Sequence, residues 1–217
     1  MFQNIKTIFF DFDGTLHDSS KIYVPAFKKA YQFLIDNNGA EEKEWTDEEV
    51  ASWLGYTSIE MWKKFMPNLD ENIRKEASKI IGKEMNSLLA TGSGYLYDGT
   101  IHTLEYLKGK GYSLVFLSNC GNTYKETVRK VFYLDKYFSN FLCAEEYDYI
   151  PKFQIFKEVR DQYKEEMVII GDRIHDIETG VKNNIHSIGC LYGYGNESEL
   201  TNASYCIQSI TELINIL

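Results

Sequence analysis

The sequence predicts an α/β protein: a doubly wound, mostly parallel sheet with a helical segment inserted after its first strand. Short continuous apolar runs, of the kind buried on both faces of a parallel sheet, recur along the chain. Helical patterns separate them, and that alternation is the mark of parallel crossover connections. One interval, residues 16–95, breaks the rhythm with several capped helices and no convincing strand.

IKTIFF (residues 5–10) opens the sheet and YSLVFL (112–117) continues it. A short third strand falls at 141–144, and MVII (167–170) is the fourth. IHSIGCL (185–191) and 205–207 complete the set. Between them, 100–108 leads into Gly109 and Gly111, a helix stop, and 122–133 starts at Asn122, a residue suited to N-capping. The helix 152–163 carries Phe153, Phe156 and Val159, with Ile155 beside them. Within the inserted interval, 20–37 ends at Asn38-Gly39, a helix C-terminal signal. Thr46-x-x-Glu49 and Thr57-x-x-Glu60 read as capping boxes, and 70–89 runs toward Gly92 and Gly94. The expected division is a core of 1–15 and 96–217 with a helical insert of 16–95.

A chain of 217 residues, 44% of them hydrophobic, has enough material for such a core and a smaller insert. No stretch approaches the roughly 20 apolar residues that cross a bilayer. The opening MFQNIKTIFF lacks the basic region and cleavage site of a signal peptide, so a cytoplasmic protein without a membrane partner is expected. Cys120, Cys143, Cys190 and Cys206 form no CxxC pair and sit mostly in apolar runs, which predicts buried, reduced thiols. The net charge of −9 repels nucleic acid and argues against it as a partner. It also repels a phosphorylated metabolite, so a site for one needs its own cations.

Chemistry concentrates where strands end. Asp11-Phe12-Asp13-Gly14-Thr15 follows the first strand. In extended chain, residues i and i+2 point to one side about 7 Å apart, so Phe12 turns inward while both carboxylates face the crevice beyond the strand. Ligands of open α/β sheets bind in that crevice. Thr15 can offer a hydroxyl and an amide to an anion. Two solvated loop carboxylates, or the metal-binding DxD of a glycosyltransferase, are the rival readings of this motif alone. Gly171-Asp172-Arg173-Ile174-His175-Asp176 follows the fourth strand, and a helical first turn brings Asp172 and Asp176 to one face. Helix capping accounts for one of these carboxylates but not for four at two strand ends. Such a cluster is costly without a cation, and magnesium favours hard oxygen ligands. Ser118-Asn119 after the second strand and Lys152 after the third supply donors and positive charge.

These residues, in this order, resemble the motifs of the haloacid dehalogenase-like hydrolase superfamily with a helical cap. The resemblance spans about residues 1–15 and 95–217 and implies a Rossmann-like core. Stretches 171–177 and 189–195 are similar to phosphoglycolate phosphatases and related pyrophosphatases. Pro151 precedes Lys152 where many relatives place prolines after the lysine, and Asp98-Gly99 stands where Pro-Gly is common.

The resemblance implies a Mg²⁺-dependent phosphatase of a small phosphorylated metabolite, with Asp11 as nucleophile and Asp13 as general acid–base. Asp11, Asp172 and the main chain of Asp13 are expected to hold the metal, and Asp176 to reach it through water or to orient Lys152. Thr15, Ser118, Asn119 and Lys152 are expected to bind phosphate. Trp53, Tyr56, Lys63 and Lys64 are candidate cap contacts to the leaving group. Trp62 is a further candidate, although aromatic residues at helical spacing are more often core. His17 and His175 are read as structural. A phosphomutase resembling β-phosphoglucomutase and a catalytically silent binding protein are the alternatives, and monomer and homodimer are both open.

Overall fold

A computed structural model describes every residue except Met1, Gln3, Lys164 and Glu165. The apolar runs do become strands. Among the described residues they are β1 (Thr7–Phe10), β2 (Ser113–Ser118), β3 (Asn140–Cys143), β4 (Met167–Gly171), β5 (His186–Cys190) and β6 (Tyr205–Ile207). They form one sheet in the order β3-β2-β1-β4-β5-β6, and every pairing is parallel. β1 is flanked by β2 and β4, with Phe10 level with both Phe116 and Ile170. The strand order reverses at β1, and the residues that follow β1, β2 and β4 therefore open side by side on one crevice.

Alternation along the strands splits the core into two layers. Phe9, Val115 and Ile169 pack on one face with Ile155 and Phe156. Phe10, Phe116 and Ile170 pack on the other with Leu104 and Val128.

The interval between β1 and β2 contains α1 (Ser20–Asp36), α2 (Asp47–Ala51), α3 (Ser58–Phe65) and α4 (Glu71–Ala90). Both capping boxes form, at Thr46 and Thr57, and Asp70 caps α4 by accepting from the amides of Asn72 and Ile73. These helices bury their own cluster around Phe27, Leu34, Val50, Met61, Trp62 and Ala77. Trp62 is 2% exposed and belongs to that cluster, so the core reading of this residue holds.

The later helices are α5 (Thr100–Gly109), α6 (Asn122–Val131), α7 (Lys152–Val159), α8 (Ile174–Asn183) and α9 (Leu213–Ile216). Two expectations need correction. Asn122 is the first helical residue of α6 and Gly121 is its cap; the Glu145 carboxylate, 2.5 Å away, takes the Asn122 amide instead. The helix expected to run to 163 ends at Val159 and tightens into a short 3₁₀ turn. All four cysteines are free, but only Cys143 and Cys190 are fully buried. No helix of the described residues is long and apolar enough to cross a membrane.

Candidate active site

Lys152 opens α7 behind Pro151, and its reach is not impaired. Its Nζ donates to Asp11 Oδ1 at 2.8 Å and to Asp176 Oδ1 at 2.6 Å. Asp11 and Lys152 are each 3% exposed, and Asp172 and Asp176 are fully buried. Carboxylate oxygens of Asp11, Asp172 and Asp176 lie within 4.8 Å of one another.

Local structure holds each of these groups in place. Asp176 sits in the first turn of α8, where its Oδ2 accepts the Arg173 amide at 3.0 Å, leaving Oδ1 for the lysine. Asp172 lies in the loop before the helix rather than on a helical face. It accepts from Thr15 Oγ1 at 3.3 Å and from the Tyr194 amide at 2.7 Å. Two glycines clear the space. A Cβ on Gly171 would lie 2.0 Å from Asp176 Cγ, and one on Gly14, whose φ is +88°, would lie 2.3 Å from Asp172 Oδ2.

Three carboxylates share one ammonium. Burial first, then Asp176, pushes Asp172 up to about 7. Burial also raises Asp11, although Lys152 pulls against it. Burial opposes the charge on Lys152, but Asp11 and Asp176 outweigh it and raise its pKa, so the lysine stays protonated.

Asp13 is held apart from this triad. Its Oδ1 accepts from Tyr124 OH at 2.6 Å and from Ser19 Oγ, and His17 Nδ1 lies 3.4 Å away. His17 is fully buried and stacked on Phe12 at 5.1 Å. It packs on Phe12 and beside the Asp13 carboxylate. Phe12 is wholly buried between the two aspartates, as the strand geometry requires.

Several expected phosphate contacts are turned elsewhere. The Thr15 hydroxyl is buried against Asp172, so it supports a carboxylate. Asn119 Nδ2 donates to the Gly55 carbonyl at 2.8 Å, tying the β2 loop to the inserted segment. Ser118 remains beside Asp11 and Asp13 in the wall of a cavity of about 490 Å³. Trp53 and Tyr56 line that cavity, whereas Lys63 and Lys64 do not. Both lysines are exposed in the last turn of α3, and Lys64 Nζ lies 4.1 Å from the centre of the Tyr56 ring. Lys79 of α4 is the lysine that lines the cavity. His175 packs edge-on to Tyr56, and its burial chiefly lowers its pKa.

Sequence reasoning missed Arg173. Its side chain is 3% exposed and reaches from the metal-type loop into the inserted segment. Nη1 donates to the Ser52 carbonyl at 3.1 Å and to that of Leu54, Nε pairs with Glu199 at 3.0 Å, and the guanidinium lies 4.5 Å over Tyr56. The arginine between Asp172 and Asp176 was visible in the motif, but its backbone acceptors leave no trace in sequence.

Fold and site together describe a doubly wound α/β protein with buried carboxylates gathered at its strand ends. The chain belongs to the haloacid dehalogenase-like hydrolase family, whose sequence model matches residues 8–190. It is 24% identical to a pyrophosphatase PpaX of Listeria innocua over 98% of this chain and 96% of the relative. It is 23% identical to a phosphoglycolate phosphatase of Aliivibrio fischeri, covering 94% and 91% of the two chains. The crystal structure of CbbY from Rhodobacter sphaeroides in complex with phosphate superposes with a TM-score of 0.79 at 18% identity, covering 96% of both chains. The phosphatase and pyrophosphatase names of these relatives agree with the phosphoric monoester hydrolase expected from the sequence.

Proposed function

We propose that the protein is a magnesium-dependent phosphatase of small phosphate monoesters, phosphoglycolate phosphatase-like, that passes through an aspartyl-phosphate on Asp11. The carrying observation is the buried group of Asp11, Asp172, Asp176 and Lys152 at the point where the strand order reverses. The residues fit the metal: the donors are all hard oxygens, and one ammonium leaves buried negative charge uncompensated. Asp11 and Asp172 would hold the ion, while Asp176 orients Lys152. Bound there, it would offset the repulsion between a carboxylate and a phosphate dianion.

Asp11 Oδ attacks phosphorus, and the bond to the ester oxygen breaks. Lys152 and Ser118 hold the phosphoryl oxygens as charge develops. Asp13 gives its proton to the departing alkoxide. It then takes one from the water that cleaves the acyl phosphate, returning Asp11 and releasing inorganic phosphate. Residues 16–95 act as a cap that closes over the site and keeps bulk water out during phosphoryl transfer to Asp11.

Hydrolysis of p-nitrophenyl phosphate with Mg²⁺ tests the reading. Activity is expected to vanish in EDTA, to return with magnesium and to be inhibited by calcium, whose longer and more flexible coordination misplaces the attacking carboxylate. Full turnover in metal-free buffer refutes the metal, and no turnover under any metal refutes the activity.

A further inference from the structure

We infer that the ester taken here carries a nucleoside-sized alcohol, a flat ring joined to a hydroxyl-bearing sugar, rather than glycolate or a second phosphate. The inference rests on the phosphatase reading and concerns the cavity that opens from Asp11 and Asp13.

The first ground is size. At about 490 Å³ the cavity falls within the range that encloses ligands much larger than glycolate. The second is the arrangement of its walls. The first turn of α6 and the turn after β3 present Thr123, Tyr124, Glu145 and Tyr149, polar groups that suit hydroxyls, and Tyr124 reaches Asp13. The inserted segment presents Trp53, Tyr56, Met61, Ile81 and Met85, an apolar and aromatic surface, together with the polar Ser58, Ser78 and Asn86. A flat ring can lie on the apolar part of that wall.

Charge is the third ground. A carboxylate or a second phosphate needs a cation. Lys79 is the one lysine or arginine among the described residues that line the cavity. It is exposed and already paired with Glu76 at 2.5 Å, and Glu145 adds negative charge to the lining.

The fourth ground is Gly82, in the middle of α4 and in the cavity wall. Glycine weakens a helix interior. A Cβ built there would meet nothing within 4 Å, and its φ lies outside the left-handed region. Protein packing therefore does not account for it. A ring lying along this open side of α4 would use the space.

The test measures kcat/KM with Mg²⁺ for purine and pyrimidine nucleoside 5′-monophosphates, phosphoglycolate, pyrophosphate, glucose 6-phosphate and acetyl phosphate. The best nucleotide is expected to exceed phosphoglycolate and pyrophosphate by on the order of 10- to 100-fold, the worth of stacking one base. Gly82→Leu, a helix-favouring change that fills the open side, is expected to lower the nucleotide-to-acetyl-phosphate ratio about tenfold or more. Trp53→Ala should lower the same ratio by roughly tenfold. If acetyl phosphate is hydrolysed but phosphoglycolate, pyrophosphate or the sugar phosphate ranks first, the inference is overturned and the phosphatase reading stands. An unchanged ratio in Gly82→Leu also overturns it. If no compound is hydrolysed, both fall.

Discussion

Asp11 and Asp13 are two residues apart on one strand end, yet their surroundings differ. Asp11 is buried against a lysine, which would hold the oxygen proposed to attack phosphorus. Asp13 is ringed by groups that carry exchangeable protons, Tyr124, Ser19 and His17. Paired carboxylates in unlike environments commonly divide nucleophile from acid. Asp11→Asn is therefore expected to form no phosphoenzyme with any ester. Asp13→Asn should slow alcohol release from an alkyl phosphate by roughly 10²–10⁴-fold in a single turnover, while nitrophenolate, which leaves without a proton, suffers much less. Equal losses for both leaving groups would remove Asp13 from the acid role. The Asp-x-Asp pair was legible because strand geometry alone points both residues to one side. Ser19 and Tyr124 were not, since a lone Ser or Tyr shows no sign of the carboxylate it will meet across the fold.

At the scale of elements, the loop into α8 is fastened to segment 52–56. Arg173 holds the carbonyls of Ser52 and Leu54, Asn119 holds that of Gly55, and Glu199 steadies the arginine from behind. Asp172 and Arg173 are adjacent, so docking of the insert and placement of the acidic triad share one turn of chain. Arg173→Ala is expected to lower kcat/KM for cap-contacting esters by about 10- to 100-fold, because small misplacements of a closing segment are costly. Lysine should rescue little, since one ammonium cannot match the guanidinium fork. Hydrogen exchange is the direct check: amides of 52–56 should exchange faster in Arg173→Ala, and unchanged protection would show that the insert docks without it. The elements themselves were readable to within a few residues, because apolar runs and capping boxes are local signals. Where Lys63 and Lys64 point was not, since helical periodicity gives a face but not what that face meets. The chain instead turns α4, with Lys79 and Gly82, toward the cavity.

For the whole molecule, the sheet gathers three carboxylates into its interior in a protein whose net charge is already −9. Without metal that arrangement opposes folding as the acids ionise. Asp172 is raised from 3.8 to about 7, so the native state binds its proton more tightly than the unfolded chain does. The resulting stability is complete below the ordinary carboxylate pKa and is lost as pH rises through the native value. Burial raises Asp11 in the same direction, while Lys152 stays charged throughout this window. Relative to Asp172→Asn, the metal-free protein should therefore lose melting temperature between about pH 5 and about pH 8. Magnesium reverses the sign. It requires ionised ligands, so it competes with the proton at low pH and binds freely at high pH. Its stabilisation follows its occupancy of the native state, and the magnesium-induced rise in Tm should be larger at pH 8 than at pH 5. Asp172→Asn should show a much smaller rise at both. Thermal melts with EDTA and with magnesium at the two pH values decide it. A magnesium shift equal at both, or one that survives in Asp172→Asn, would place the ion somewhere other than among these three aspartates.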